Sequence, residues 1–491
     1  MTPGALLRAR ATSTPNAVAL FAGDRSMTYA ELNRSTDLLA RWFVASGLKP
    51  GDRVAIQWPN AVEVVQVFFA AFKAGLTAVP INLRLKPNEI AWVLEHCGAS
   101  LCFAPQALAG PVEAAGVPLF TELPALDAVP GVGGPPVDPQ MPALIMYTSG
   151  STGRPKGAVL SQGALVRTGE LCTQDFERTF GDLAKPRGLL MTPLMHSSGL
   201  YVLLGSVRLG EPCVLLPGFD PAAALDALER YECTLTLALP AMMQFLLDEQ
   251  ERRPRNLSSL RVIFAGGDSV AVALQERVKT VIGCRVVEAL AQTETGPTIS
   301  NPLEAPRPGS LGVPYHGVEV RLVDSFGKDV TVDEPGELLV KSAAVCSGYW
   351  DNPSATADAF VDGWFRTGDL VSRDAEGYYW FRGRLKEIII RGGSNISPQE
   401  VEEALYTHPA VHEAAVVGMP HPVWGEVVVA AVALREGCVA TEQDLRAHTQ
   451  LTLSDYKVPE RIVFLPLLPK GPTGKVQRRA IKESLSSSSH P

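Results

Sequence analysis

Residues 147–157 read Tyr147-Thr148-Ser149-Gly150-Ser151-Thr152-Gly153-Arg154-Pro155-Lys156-Gly157. Three glycines let the backbone curl until successive N–H groups converge on one anion, and the hydroxyls and Lys156 add donors and charge. The chemistry that suits such a loop is the holding of a polyphosphate. The spacing is not that of a Walker A loop, G-x-x-x-x-G-K-[ST]. A Gly/Ser/Thr run is also the material of a flexible linker. The apolar strand expected at Ala143–Met146 and the closing Pro-Lys-Gly favour the anion loop. Further on, Thr293-Glu294 sets a hydroxyl beside a carboxylate at an expected strand end. A carboxylate there can hold Mg²⁺ against phosphates, although a bare Glu at a strand end is more often simply solvated.

The elements that must position these residues alternate between periods of 2 and 3.6, the pattern of an α/β protein with a largely parallel sheet. Thr28 and Glu31 read as a capping box ahead of a helix, and Pro50-Gly51-Asp52 turns into a strand from Arg53 to Gln57. A helix over about 62–74 stops at Gly75 before a short strand, Thr77 to Pro80. The Gly/Pro-rich stretch Pro130–Pro136 separates a first unit from a second that runs to about residue 300. Short strands with Gly and Asp turns between 312 and 380 suggest a small β-rich subdomain. A last unit starts near Lys386, with a strand at Glu387–Arg391 and a helix opened by Ser397 as N-cap, Pro398 and Glu400. The Ser-rich end, Ser484–Pro491, reads as disordered.

Composition bounds the answer without choosing it. The 491 residues predict about three folding units at roughly 150 residues each. A hydrophobic content of 46% suffices for full cores and excludes a disordered or collagen-like chain. The net charge of −8 provides no field to hold nucleic acid or an anionic membrane. The eight cysteines are scattered without a C-x-x-C pair, which points to free thiols in a reducing compartment. His408 and His412 are separated by Pro409 and lack an H-E-x-x-H pattern, so they make a poor metal site. The longest apolar run, Val427–Leu434, is far short of the ~18 residues of a membrane span, and no signal peptide is legible. These features predict a soluble, cytoplasmic protein, monomer or homodimer.

Other stretches follow in a telling order: Gln292-Thr293-Glu294, Gly336-Glu337-Leu338, Gly348-Tyr349-Trp350, Gly363-Trp364-Phe365-Arg366-Thr367-Gly368-Asp369-Leu370 and Gly383-Arg384-Leu385-Lys386-Glu387. Asn395 to Glu402, Tyr456-Lys457-Val458-Pro459 and Gly474-Lys475 complete the series. Together with residues 147–157 the sequence resembles the adenylate-forming superfamily of acyl-CoA synthetases, adenylation domains and luciferases, over nearly its whole length.

The resemblance implies an α/β protein with a large N-terminal domain (1–385) of stacked α/β sheets plus a small β-rich subdomain. Its subdomains fall at about 1–130, 137–300 and 310–385, and a small, mobile α+β C-terminal domain occupies 386–491. It implies an ATP-dependent acyl-CoA ligase that joins a carboxylic acid to AMP with release of pyrophosphate, then passes the acyl group to the CoA thiol. An acyl-carrier protein is the alternative acceptor, and a non-catalytic nucleotide sensor is disfavoured. Thr148, Ser149, Gly150, Ser151, Thr152, Gly153 and Lys156 would cradle the phosphates of ATP. Gly267, Asp268, Ser269, Glu288, Ala289 and Leu290 would flank the adenine. Asp369 and Arg384 would meet the ribose; Thr293 would stand beside the α-phosphate, and Glu294 would hold Mg²⁺. Lys475 would be the mobile point charge that stabilises the pentavalent phosphate. Lys386 would be the hinge about which the C-terminal domain turns, with Arg391, Gly392 and Gly393 then lining the CoA tunnel.

The sequence departs from the family where an aromatic-Gly pair precedes x-Thr-Glu: here it is Leu290-Ala291. Losing the ring that stacks on adenine costs about 1 kcal/mol of ATP affinity on the scale of aromatic stacking. The acyl pocket is expected from His196, Met242, Phe245, Ala265, Gly266, Ala289 and Ala291, apolar walls with no Arg or Lys to pair a second carboxylate. A hydrophobic monocarboxylic acid of medium or large size fits those walls.

Overall fold

The computed structural model describes residues 1–126, 135–148, 155–180, 186–267, 270–471 and 476–487. Ser149–Gly153, Asp268, Ser269 and Lys475 lie outside the described residues, as do Pro130–Gly134 of the Gly/Pro-rich stretch and Ser488–Pro491 of the Ser-rich end. The architecture is mixed α/β, with a large N-terminal part built on three sheets and a smaller C-terminal part on a fourth.

The longest sheet has nine strands. Its centre, Arg285–Gln292, Val262–Ala265, Leu235–Ala238, Gly188–Leu190, Cys213–Leu215 and Val18–Ala22, is parallel throughout. Such strands are covered on both faces by helices, so they read as short apolar runs rather than clean alternation. The second sheet has six strands, in the order Leu119–Phe120, Ala99–Phe103, Arg53–Ile56, Thr77–Pro80, Pro142–Thr148, Lys156–Ser161. The two sheets exchange segments across the Pro130–Pro136 stretch. The N-terminal hairpin (Val18–Ala22, Arg25–Thr28) joins the nine-stranded sheet, and Pro142–Ser161 joins the six-stranded one.

One core cluster contains residues of both sheets with helix Val62–Ala74 packed among them, and 12 residues of that helix are buried. Lys73 near its end is buried too. Its ammonium donates to Asn33, Thr36 and Asp37, and burial nonetheless pushes it down to about 8. Thr28 and Glu31 form the reciprocal capping box of helix Tyr29–Ala45.

The third sheet, antiparallel, comprises Glu319–Val323, Gly336–Lys341, Phe360–Val361, Trp364–Arg373 and Tyr379–Arg384. A 3₁₀ turn, Leu385–Glu387, leads from it to the fourth sheet, whose longest strands are Val411–His421, at an edge, and Gly425–Leu434, at the centre. The apolar run 427–434 is therefore a buried strand. The strand expected at Glu387–Arg391 is confined to Ile389–Arg391, because Glu387 belongs to that turn and Ile388 caps it. Ser397 does occupy the N-cap of helix Pro398–Tyr406, but its hydroxyl makes no capping bond. Disorder is not found from Ser484 to Ser487. Helix Arg478–Ser487 includes them, since Ile481 and Leu485, one turn apart, bury against the fourth sheet. No helix among the described residues is long and apolar enough to cross a membrane.

Between the second and third sheets the backbone is pinned by Gly348. Its N-terminal neighbour Ser347 donates to Val159 O (2.8 Å), Val159 donates to Gly348 O (2.9 Å), and Trp350 donates to Gly157 O (2.7 Å). Gly348 holds φ +140, and a Cβ there would come within 2.7 Å of Thr356 Cγ2. Gly348→Ala is expected to cost about 2 kcal/mol, the scale of strain at such a position. A lowered urea midpoint with unchanged slope checks it.

Candidate active site

The strand ends of these sheets converge on one cavity of about 1630 Å³. Strand Pro142–Thr148 and strand Lys156–Ser161 pair antiparallel, with Thr148 opposite Lys156, so both ends of the 149–154 loop stand at the cavity wall. Thr148 Oγ1 donates to Glu294 Oε1 (3.1 Å), and so does the Tyr349 hydroxyl (3.3 Å). The Cys346 amide donates to the Glu294 carbonyl (2.7 Å), fixing the backbone on the same side. Lys156 Nζ lies over the Tyr349 ring at 5.0 Å. Burial and the neighbouring Glu294 carboxylate push the Tyr349 phenol well above its ordinary value, so it stays a donor.

Glu294 lines the cavity, and both hydroxyls reach the same oxygen. Among the described residues its Oε2 has no hydrogen-bond donor and faces no ion pair, which suits one hard-oxygen ligand to Mg²⁺. No group of three acidic, His or Cys side chains that could hold a metal occurs among the described residues. A cation here would complete its shell with phosphate oxygens and water. Thr293 is adjacent, its hydroxyl 3.4 Å from Ser197 Oγ at the start of helix Ser197–Leu209.

Three residues expected at the adenine and ribose do not line the cavity. On strand Arg285–Gln292 side chains alternate, so Ala289 and Ala291 face the cavity while Leu290 packs in the cluster with Ile299 and Val318. Leu290 therefore offers no wall to a base. Glu288 also faces away. Its carboxylate accepts from Gln275 Nε2 (2.6 Å) and the Gly309 amide (3.0 Å) on Oε1 and from the Val270 amide (3.4 Å) on Oε2. Burial pushes it up to about 6 despite those donors. It is a bolt between two loops rather than a ligand group. Asp369 is wholly buried behind Gln292, whose amide donates to Oδ2 (2.8 Å), and Arg384, whose Nε stands 3.1 Å from Oδ1. Arg384 and Gln292 line the cavity, and Asp369 positions them. Gly267 lines the cavity.

The apolar part of the cavity includes His196, Met242, Phe245, Ala265, Gly266, Ala289 and Ala291. Asn82 Nδ2 and His196 Nε2 are 3.4 Å apart. Tyr201, Phe219, Leu237 and Phe264 line it as well. They escaped the sequence reading because each sits on an ordinary apolar period, with no motif to mark it. Tyr349 and Gln292 stood inside recognised motifs, but nothing in one sequence says which member of a motif touches which.

The C-terminal part closes over the same space. Gly471, Val476 and Arg478, which flank the segment carrying Lys475, line the cavity, as does Lys386 in the 3₁₀ turn. Arg391, Gly392 and Gly393 do not line it. Arg391 pairs with Glu460 (3.1 Å), and the Gly392 amide donates to Trp424 O (2.8 Å).

Residues 7–350 match the AMP-binding enzyme family, and residues 400–475 match the AMP-binding enzyme C-terminal domain. A feruloyl-CoA synthase of an Amycolatopsis species is 37% identical over 96% of this chain and 97% of its own. The anthranilate CoA ligase AuaEII, solved with anthranoyl-AMP, superposes with a TM-score of 0.92 at 28% identity, covering 99% of this chain and 98% of that one. The o-succinylbenzoate CoA synthetase of Bacillus subtilis, solved with ATP and magnesium ion, gives 0.85 at 30% identity, covering 97% and 99%.

Because Glu288 titrates higher in the folded chain than in the unfolded one, it favours folding most below about pH 4.5 and loses that contribution as pH rises through about 6. Glu288→Gln keeps the acceptor oxygen. It is expected to flatten the stability change between pH 5 and 7.5 by about 1–2 kcal/mol, read by urea unfolding at both pH values.

Proposed function

This chain belongs to the adenylate-forming AMP-binding enzymes and is an ATP-dependent acid–thiol ligase, and on that premise we propose that its acid is a hydrophobic monocarboxylate, adenylated and then transferred to CoA in this one chamber. The observation that carries the reading is the continuity of the cavity: Thr148, Lys156, Thr293, Glu294 and Arg384 share it with an apolar pocket, and Gly471, Val476 and Arg478 of the C-terminal part line it too.

In the first half-reaction a carboxylate oxygen attacks the α-phosphorus, and the bond to pyrophosphate breaks. Two anions meet, so positioned positive charge and donors must supply most of the catalysis. Lys156 and the 149–154 loop hold the phosphates, and Thr293 stands beside the α-phosphate. Mg²⁺ on Glu294 neutralises phosphate charge when bound. Lys475 enters from the C-terminal domain to stabilise the pentavalent phosphorus. In the second half-reaction the CoA sulfur attacks the acyl carbon and AMP leaves. Domains 1–385 and 386–491 turn about Lys386 between the two steps, exchanging the Lys475 segment for Arg391–Gly393 at the chamber. That Arg391–Gly393 lies outside the cavity while Gly471 and Val476 line it suits an arrangement for adenylation. Apolar walls without a cation favour a single carboxylate, since a second one would be desolvated unpaired.

A pyrophosphate-release screen over a panel of carboxylic acids, with and without CoA, tests the reaction. Release with hydrophobic monocarboxylates and a CoA thioester as product is expected. A thioester formed only on a carrier protein would transfer the acceptor role there. Lys475→Ala is expected to lower adenylation by roughly 10²-fold and to spare thioester formation from supplied acyl-AMP. Equal loss in both half-reactions would overturn the turning domain.

A further inference from the structure

We propose that the acyl group is elongated, with an unbranched apolar tail lying in a groove beneath helix Ser197–Leu209. This rests on the ligase reading above and adds the shape of its acid. The groove starts at the chemistry, because Ser197 at the helix start is 3.4 Å from the Thr293 hydroxyl. From there Ser198, Tyr201, Val202, Gly205, Ser206 and Leu209 all line the cavity. Their spacing puts them on one stripe of the helix, and the stripe is about 16 Å long at 1.5 Å per residue.

The sheet beneath shows the same void from its other side. Leu235, Leu237 and Phe264 sit on central strands, where a side chain should be covered, yet all three keep accessible surface. Their neighbours on the opposite face, Thr236, Ala238 and Ile263, have none. A central strand open on one face only has a hollow above that face. Tyr201 and Cys172 tell the same story. Surrounding protein pushes the Tyr201 phenol well above its ordinary value and the Cys172 thiol up to about 12, yet both keep accessible surface and line the cavity.

No charged side chain lies on the stripe or on these strand residues, so these described walls offer no partner to a tail bearing a carboxylate or sulfonate. A compact ring would fill only the end near Ala291 and leave the rest open. Gly205 keeps the groove wide. A Cβ there would meet Thr173 Cγ2 at 3.5 Å and Cys172 Cβ at 3.7 Å, in ordinary contact, and a larger side chain would enter the hollow.

The test is acid-dependent pyrophosphate release across straight-chain monocarboxylates from butanoate to hexadecanoate, with benzoate as the compact comparator. We expect kcat/KM to rise about threefold per methylene until the groove is full. Gly205→Phe is expected to lower the dodecanoate-to-butanoate ratio at least tenfold, and Gly205→Leu to lower it less, with thermal melting confirming that each variant folds. A ratio unchanged in a folded Gly205→Phe, or benzoate outranking every chain acid, overturns the groove and leaves the ligase reading standing. If no acid releases pyrophosphate, the ligase reading falls. Calorimetric binding of dodecanoate then decides the groove: binding weakened at least tenfold in Gly205→Phe supports it, and absent or unaltered binding overturns it.

Discussion

One carboxylate oxygen joins the three sheets of the large domain. Glu294 Oε1 accepts from Thr148, which ends a strand of the six-stranded sheet, and from Tyr349, which follows a strand of the antiparallel sheet. Glu294 itself sits in the turn between two strands of the nine-stranded sheet. Hydrogen bonds to an ionised acceptor are stronger than neutral ones, and both are partly shielded from water here. Thr148, the Glu294 carboxylate and the Gly348-Tyr349-Trp350 turn thus keep a fixed mutual geometry before any substrate arrives. Preorganisation of this kind is what a reaction between two anions requires. The net charge of −8 opposes the approach of ATP and CoA, so attraction must come from these local donors.

What could be read from the sequence and what could not divide along a physical line. Local signals held: the Thr28–Glu31 capping box, the stop of a helix at Gly75, and the strand before the phosphate loop all depend on neighbours within a few residues. Partners distant in sequence were not legible. Nothing local in Val18–Ala22 says that it pairs with Cys213–Leu215 rather than with Arg53–Ile56, so the expected border at 130–136 does not separate the sheets. Motif membership likewise named the right stretches without orienting their side chains. Leu290 and Ala291 are neighbours, and the alternation of a strand sends one to a core and the other to the cavity. Gln292, Asp369 and Arg384 form one connected group, a fact carried by strand register and by no single residue.

The buried acids show how a carboxylate beside the cavity can be committed to the protein's own donors. Glu288 spends its acceptor capacity on two backbone amides and Gln275, and burial makes its charged form costly. Asp369 is matched on both oxygens by Gln292 and Arg384. Asp369 serves the cavity through Gln292 and Arg384, whereas Glu288 ties two loops together. Glu294 differs because its donors crowd one oxygen and leave the other to the cavity.

In the groove proposed above, helix Ser197–Leu209 separates chemistry from selectivity. Its first residue stands next to Thr293, while Gly205, Ser206 and Leu209 lie two to three turns away, about 12–18 Å along the axis. Side chains at the far end can therefore change without disturbing Thr148, Glu294 or Tyr349. Binding energy from the tail acts on the carboxylate only by holding it in place. That is the means by which remote contacts contribute to a rate, since they lower the entropy of the approach and leave the phosphorus untouched. A fold arranged in this way can keep one adenylation site and vary its acid by altering the depth of a single groove.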